Sequence, residues 1–144
     1  MNPTTVTIQL DSMHRVYHPG EKLSGRFRWD VPSTDDVKRV ELSVMWRTEG
    51  KGDEDFGLHH FESHELLHAS SQLGGKRGAR ERVSWRRFQT EQGLPNSPTS
   101  YHGLLVKIRW CVRVRCFLKS GKEVVEDREF QLGGTSNVGE PKQS

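Results

Sequence analysis

The sequence predicts an antiparallel β-sandwich built as one domain, and three observations carry that reading. The run from Leu104 to Lys119 places apolar side chains at Leu104, Val106, Ile108, Trp110, Val112, Val114, Cys116 and Leu118. Lys107, Arg109, Arg113, Arg115 and Lys119 stand between them, broken only by Leu105, Cys111 and Phe117. Period-two alternation belongs to a strand with one face in a core and the other presented outward. Shorter alternating runs recur along the chain between Gly, Pro and Asp turn signals, with no convincing amphipathic helix. Finally, 144 residues with 32% hydrophobic content and a mean hydropathy of −0.78 fit two packed sheets with long polar loops better than a thick α/β core. A closed barrel is the alternative; long strands and unequal loops favour two sheets.

Taken in order, Thr5 to Leu10 alternates Val6, Ile8 and Leu10 with polar residues and reads as a first strand. His18-Pro19-Gly20-Glu21 reads as a turn, because Pro fixes φ and Gly tolerates the positive φ that a type II turn needs. Leu23, Gly25, Phe27 and Trp29 then mark a second strand, broken at Val31 to Asp36. Val40, Leu42, Val44 and Trp46 mark a third, ended by the turn from Gly50 to Asp55. Residues 57–68 fit either a strand or a short helix. Residues 70–80 read as a basic loop, and Val83, Trp85 and Phe88 mark a strand with a slip in its period. Gln92 to Gly103 carries two prolines and two glycines and reads as a loop. The long run follows. At about 3.3 Å per residue it would reach on the order of 50 Å, so a bend or bulge is expected. A last strand runs through Val124 to Leu132. The domain is therefore placed at residues 1–132, with 133–144 a flexible tail. The four tryptophans, Trp29, Trp46, Trp85 and Trp110, are all expected in the core.

Charged residues make up 28% of the chain but nearly balance, at net +3 and a pI near 9.0. The distribution of that charge decides more than its sum. Cys111 and Cys116 are five residues apart on one strand, hence on opposite faces and unable to bridge each other. No secretory signal is visible at the N-terminus and no apolar run approaches a membrane span, so a reduced, cytoplasmic setting is expected.

Two segments resemble the N-terminal domain of the arrestin family. Val16-Tyr17-His18-Pro19-Gly20-Glu21-Lys22-Leu23-Ser24-Gly25 is similar to the family's Tyr-x-Pro-Gly-Glu-x-Val-x-Gly hairpin. Leu94-Pro95-Asn96-Ser97-Pro98, then Tyr101-His102-Gly103 and Ile108-Arg109-Trp110-Cys111-Val112, resemble its Leu-Pro-x-Ser loop and the long strand after it. Trp110 stands where the family usually has Tyr. The resemblance spans residues 5 to 132. It implies an immunoglobulin-like sandwich used as a non-catalytic adaptor, as in arrestins, a retromer subunit and bacterial sporulation-control relatives. Most members carry two such sandwiches, and this chain has room for one. No residue here matches the family's phosphate triggers.

A competing chemistry is His64-Glu65-Leu66-Leu67-His68, a literal HExxH. On a helix, histidines at i and i+4 share a face that can bind zinc while the glutamate polarises a bound water. On a strand they would lie about 13 Å apart, too far for one ion. The metzincin continuation is missing, because Ser71 stands where its glycine should be. Asp53-Glu54-Asp55 lacks the calcium-loop pattern around it. There is no Gly-x-Ser-x-Gly elbow or phosphate-binding loop, although Arg109 and Arg113 beside an outward Cys111 would lower its pKa.

The basic stripe is the remaining feature. Lys107, Arg109, Arg113 and Arg115 share one face and are the candidate binding residues, with Arg77, Arg80, Arg82, Arg86 and Arg87 as a second cluster of unplaced position. Arginine forks grip carboxylate or phosphate, so an acidic or phosphorylated protein segment is the expected partner, with anionic headgroups as the other use of such a stripe. The competing account pairs the stripe with Glu123, Glu126, Asp127 and Glu129 on the adjacent last strand. Outward aromatics beside it are few, so no nucleic acid is expected. The sequence thus points to a non-catalytic intracellular adaptor that uses a basic strand face or a sheet edge, with no cofactor. Its alternatives are the zinc hydrolase and a homo-oligomer formed by edge pairing.

Overall fold

The computed structural model describes residues 4–12, 16–30, 37–66 and 85–133. They form β1 (Thr5–Leu10), β2 (Ser24–Asp30), β3 (Val37–Gly50), β4 (Phe56–Glu65), β5 (Arg86–Gln89), β6 (Tyr101–His102), β7 (Val106–Leu118) and β8 (Glu123–Phe130). A small sheet has the order β1-β2-β5. A large one has the order β4-β3-β7, with β6 and β8 both laddered to the far side of β7. Every pairing between these strands is antiparallel. The expected sandwich is therefore the fold, and no strand of either sheet is covered by a helix among the described residues.

Pairing moves several boundaries. β7 starts at Val106 because Gly103 to Leu105 is a turn: the Gly103 amide donates to the Val106 carbonyl at 3.0 Å, and Lys51 donates to the Leu105 carbonyl at 3.0 Å. Leu104 consequently stands fully exposed, not on the core face. β3 runs well past its apolar stretch because it lies between β4 and β7, and ladder bonds carry its polar ends. Residues 56–65 settle as a strand for the same reason. The irregularities expected in β7 sit in other strands instead: β3 has an extra residue opposite β7 between Val37 and Arg39, and β4 has one opposite β3 between Val44 and Met45. The turn at 31–36, the basic loop 70–80, Val83 and the tail from 134 lie outside the described residues.

The core lies between the sheets. Val6, Ile8, Leu10, Phe27, Trp29 and Phe88 come from the small sheet, and Val40, Leu42, Val44, Val112, Val114, Cys116 and Leu118 from the large one. Trp110 is 1% exposed, and its indole N–H donates to the Pro98 carbonyl at 2.8 Å. That bond satisfies the one polar atom of a large buried ring. Trp85 departs from expectation. On β5 the inward position is Phe88, opposite Gly25, so Trp85 falls on the outer face of the small sheet. The slip in period is a change of face.

The two segments that carry the family resemblance meet. In the turn, Glu21 N–H donates to the His18 carbonyl at 3.1 Å and Gly20 has φ of 92°, the type II geometry expected. The Gly20 amide donates to the Leu94 carbonyl and the Leu94 amide to the Glu21 carbonyl, both at 2.8 Å. Tyr17, buried beside this junction, bridges to Leu132. The Pro-Gly-Glu turn and the Leu-Pro loop are one hydrogen-bonded junction closing the end of the sandwich.

Candidate functional site

The outer face of the large sheet carries the stripe expected from sequence, and acids on the neighbouring strands meet it. Arg113 forks onto Asp127 through Nε at 2.8 Å and Nη2 at 3.0 Å. Arg115 reaches Glu123 at 3.0 Å. Arg109 bridges two strands, donating to Glu49 at 2.8 Å and to Glu129 at 2.9 Å, while Arg47 shares the same Glu49 at 2.8 Å. Arg39 holds Glu41 at 3.2 Å and lies over the Phe117 ring at 4.1 Å. Lys107 takes no carboxylate among the described residues. The hydrogen bond from Arg109 holds the Glu49 carboxyl below the usual range, and the bond that Arg113 donates to Asp127 raises the Arg113 pKa. These groups exist as formed ion pairs.

This layer of charge covers two apolar side chains. Met45 and Cys111 face outward in register yet are 9% and 3% exposed. Cys111 is therefore not accessible, and its pKa is not lowered. Burial, with Asp127 adding to it, pushes the thiol up to about 11, outweighing Arg113. Cys116, on the core face, is pushed up by burial to about 12. Both thiols are free and unactivated.

Among the described residues β4 is the free edge of this sheet, and its bulge sorts its side chains. Opposite Val40, Leu42 and Val44 it turns His64, Glu62 and His60 inward; opposite Ser43, Met45 and Arg47 it turns Phe61, Leu58 and Phe56 outward. Without the extra residue, Phe56 and Leu58 would point away from Phe61. The three are 68%, 57% and 49% exposed for Phe56, Leu58 and Phe61, so an apolar row flanks an unpaired strand edge. Periodicity alone missed this row because the bulge changes the phase within it. Gly57 is needed there: a β-carbon would overlap the indole of Trp46, which lies across the inner side of the strand.

On the inner side, Glu62 accepts from, or is bridged by, the Nε2 atoms of His60 at 2.9 Å and His64 at 2.8 Å. His64 and Glu65 point to opposite faces of a strand, so they do not form the helical zinc arrangement, and His68 lies outside the described residues. No cluster of three metal-ligating side chains occurs among the described residues. The second basic cluster resolves in part: Arg86 and Arg87 sit on β5, with Arg87 forked onto Asp11 at 2.7 and 3.2 Å, while Arg77, Arg80 and Arg82 lie outside the described residues.

Two curled antiparallel sheets, closed at one end by the Pro-Gly-Glu and Leu-Pro junction, define an arrestin-like fold. Among solved structures the chain is similar to Spo0M, a sporulation control protein from Bacillus subtilis, with a TM-score of 0.56 and 12% identity. The match covers 92% of this chain and 50% of that one, so the chain spans about half the length of that neighbour. No family model and no curated protein sequence matches. No helix among the described residues is long and apolar enough to cross a membrane.

Proposed function

We propose that this arrestin-like module is a non-catalytic adaptor that accepts an extended protein segment on the free edge of β4. The observation that carries the reading is the exposed row Phe56, Leu58 and Phe61 beside an edge that no strand among the described residues pairs with. An added strand satisfies the open ladder positions, and alternate apolar side chains of the partner cover the row. The basic face of Lys107, Arg109, Arg113 and Arg115 is the less favoured surface. An acidic or phosphorylated partner there would have to displace Glu129, Asp127 and Glu123 from formed pairs.

A second copy of the chain is a poorer occupant than a foreign segment. Two β4 edges brought together would align inward His60, Glu62 and His64 from both chains, and inward charge is a standard guard against edge pairing. The test is selection of linear peptides from a random library, followed by hydrogen exchange on the complex. Enriched peptides should alternate apolar and polar residues, protect amides of 56–65, and lose binding when Leu58 and Phe61 become Asp. Protection confined to other strands would refute the edge as the site.

A further inference from the structure

The small sheet presents two arginines that form no ion pair among the described residues. Its outward positions are Thr5, Thr7 and Gln9 on β1, Ser24, Arg26, Arg28 and Asp30 on β2, and Arg87 and Gln89 on β5. Opposite Arg26 and Arg28 stand Gln9 and Thr7, neither of them acidic. Arg26 donates to the neutral amide oxygen of Gln9 at 2.9 and 3.1 Å. Its guanidinium and that of Arg28 lie over the Trp85 ring, at 4.4 and 4.9 Å from the centroid. Among the described residues neither meets a carboxylate, and Asp30 forms no ion pair with Arg28. Among the described residues Arg87 is paired with Asp11, which also attracts Arg26 electrostatically without an ion pair to it.

We propose that this face docks on an anionic lipid bilayer, with Arg26 and Arg28 against lipid phosphate and carboxylate groups and Trp85 at the interface. Three features choose that partner. An open sheet face is broad, and a bilayer offers a broad array of anions in place of a single acidic pocket filler. Cations stacked on a half-buried indole form a surface that is polar at its charge and apolar at its ring, the balance found at membrane interfaces. The same stacking counts against single-stranded nucleic acid, because guanidinium already covers the ring face on which a base would stack. The small and large sheets are back to back, so a docked small sheet leaves the large sheet's outer face free for a partner.

The experiment is sedimentation of the full chain with vesicles of phosphatidylserine mixed with phosphatidylcholine, and with phosphatidylcholine alone. Binding to the mixed vesicles alone, weakening as salt rises, is the expected result. Loss of one basic side chain near an anionic surface corresponds to about five-fold in partitioning, so Arg26→Gln/Arg28→Gln should lose on the order of twenty-five-fold. Arg26→Lys/Arg28→Lys should retain most of it, since a bilayer reads charge and not fork geometry. Circular dichroism melts of both variants establish that they fold. Failure of the wild type to sediment, or equal sedimentation by the Gln variant, would overturn the proposal. So would collapse of binding in the Lys variant, which marks a fork-reading protein site, or tighter binding to an oligonucleotide competitor.

Discussion

On the outer face of the large sheet, Arg39, Arg47, Arg109, Arg113 and Arg115 each hold a carboxylate. On the small sheet, Arg26 and Arg28 lie against an amide and an indole. The residue type is the same and the strand context is the same. What differs is the acid within reach: β3 supplies Glu41 and Glu49 and β8 supplies Glu123, Asp127 and Glu129, whereas β1 sets Thr7 and Gln9 opposite Arg28 and Arg26. The lesson is that a basic stripe becomes a site or a structural lattice according to its cross-strand partners, which lie elsewhere in the chain. The large-sheet arginines also roof Met45 and Cys111, whereas the stacked pair on the small sheet covers Trp85.

The core common to both faces gives the largest expected effect. Trp110→Ala should cost about 3–5 kcal/mol, because it removes a buried ring and leaves the Pro98 carbonyl without its donor. Urea melts check this, and a small loss would mean that the two sheets hold together without that layer. Next comes Gly57→Val, which should cost about 1–3 kcal/mol by displacing Trp46. Intrinsic fluorescence should report the ring's movement; an unchanged melt would show that β4 can shift away and is not fixed by its bulge.

Smaller effects separate the two faces directly. Asp127→Ala should cost up to about 1 kcal/mol by unpairing the half-shielded Arg113, while Arg28→Thr should fall within about 0.5 kcal/mol of wild type. Equal losses would mean that the two faces do not differ. The roof itself is tested by thiol chemistry. Native protein at pH 8 should react with dithionitrobenzoate at neither cysteine, and unfolded protein at both, and Asp127→Ala should speed the reaction of Cys111 alone.

The thiols also set an alkaline limit. Their folded pKa values are raised above the ordinary 9.0, so their contribution is complete below that value. It is lost as pH rises through about 11 and about 12. Cys116→Ala should flatten this limb in melts taken between pH 8 and pH 11; an unchanged slope would assign the loss to other groups. On the acid side the sign reverses. Asp11 is held low chiefly by its hydrogen bond from Arg87, so its contribution is present above its ordinary 3.8 and disappears as pH falls through the lower folded value.

Much of the fold could be read from residue order. β1, β2 and β8 lie within a residue or two of where alternation put them; β1 and β2 each have one buried and one more open face, and β8 is anchored at its end by buried Phe130. The turn at Pro19-Gly20 was legible since only that chemistry suits its dihedrals. The arginines of β7 were placed on the correct face, and the account in which Glu123, Asp127 and Glu129 neutralise them was available from the adjacent strand. The row Phe56, Leu58 and Phe61 was not legible, nor was the seat of Trp85 or the burial of Cys111. A bulge in β4, a change of face before β5 and a roof of arginine side chains decided those.

Alone, the sequence determined the class of the protein: period-two patterning, turn residues and the Pro-Gly-Glu and Leu-Pro segments point to an antiparallel β-sandwich, while the sheet order came from the structure. These signals are local, and strand geometry acts on neighbours along the chain. The tertiary structure decided which charges are spent and which are open, and which apolar side chains reach the surface. Those outcomes depend on what stands across the ladder, in one case sixty residues away, as Glu49 stands from Arg109. Register across strands, not order along one, brings such pairs to hydrogen-bonding distance.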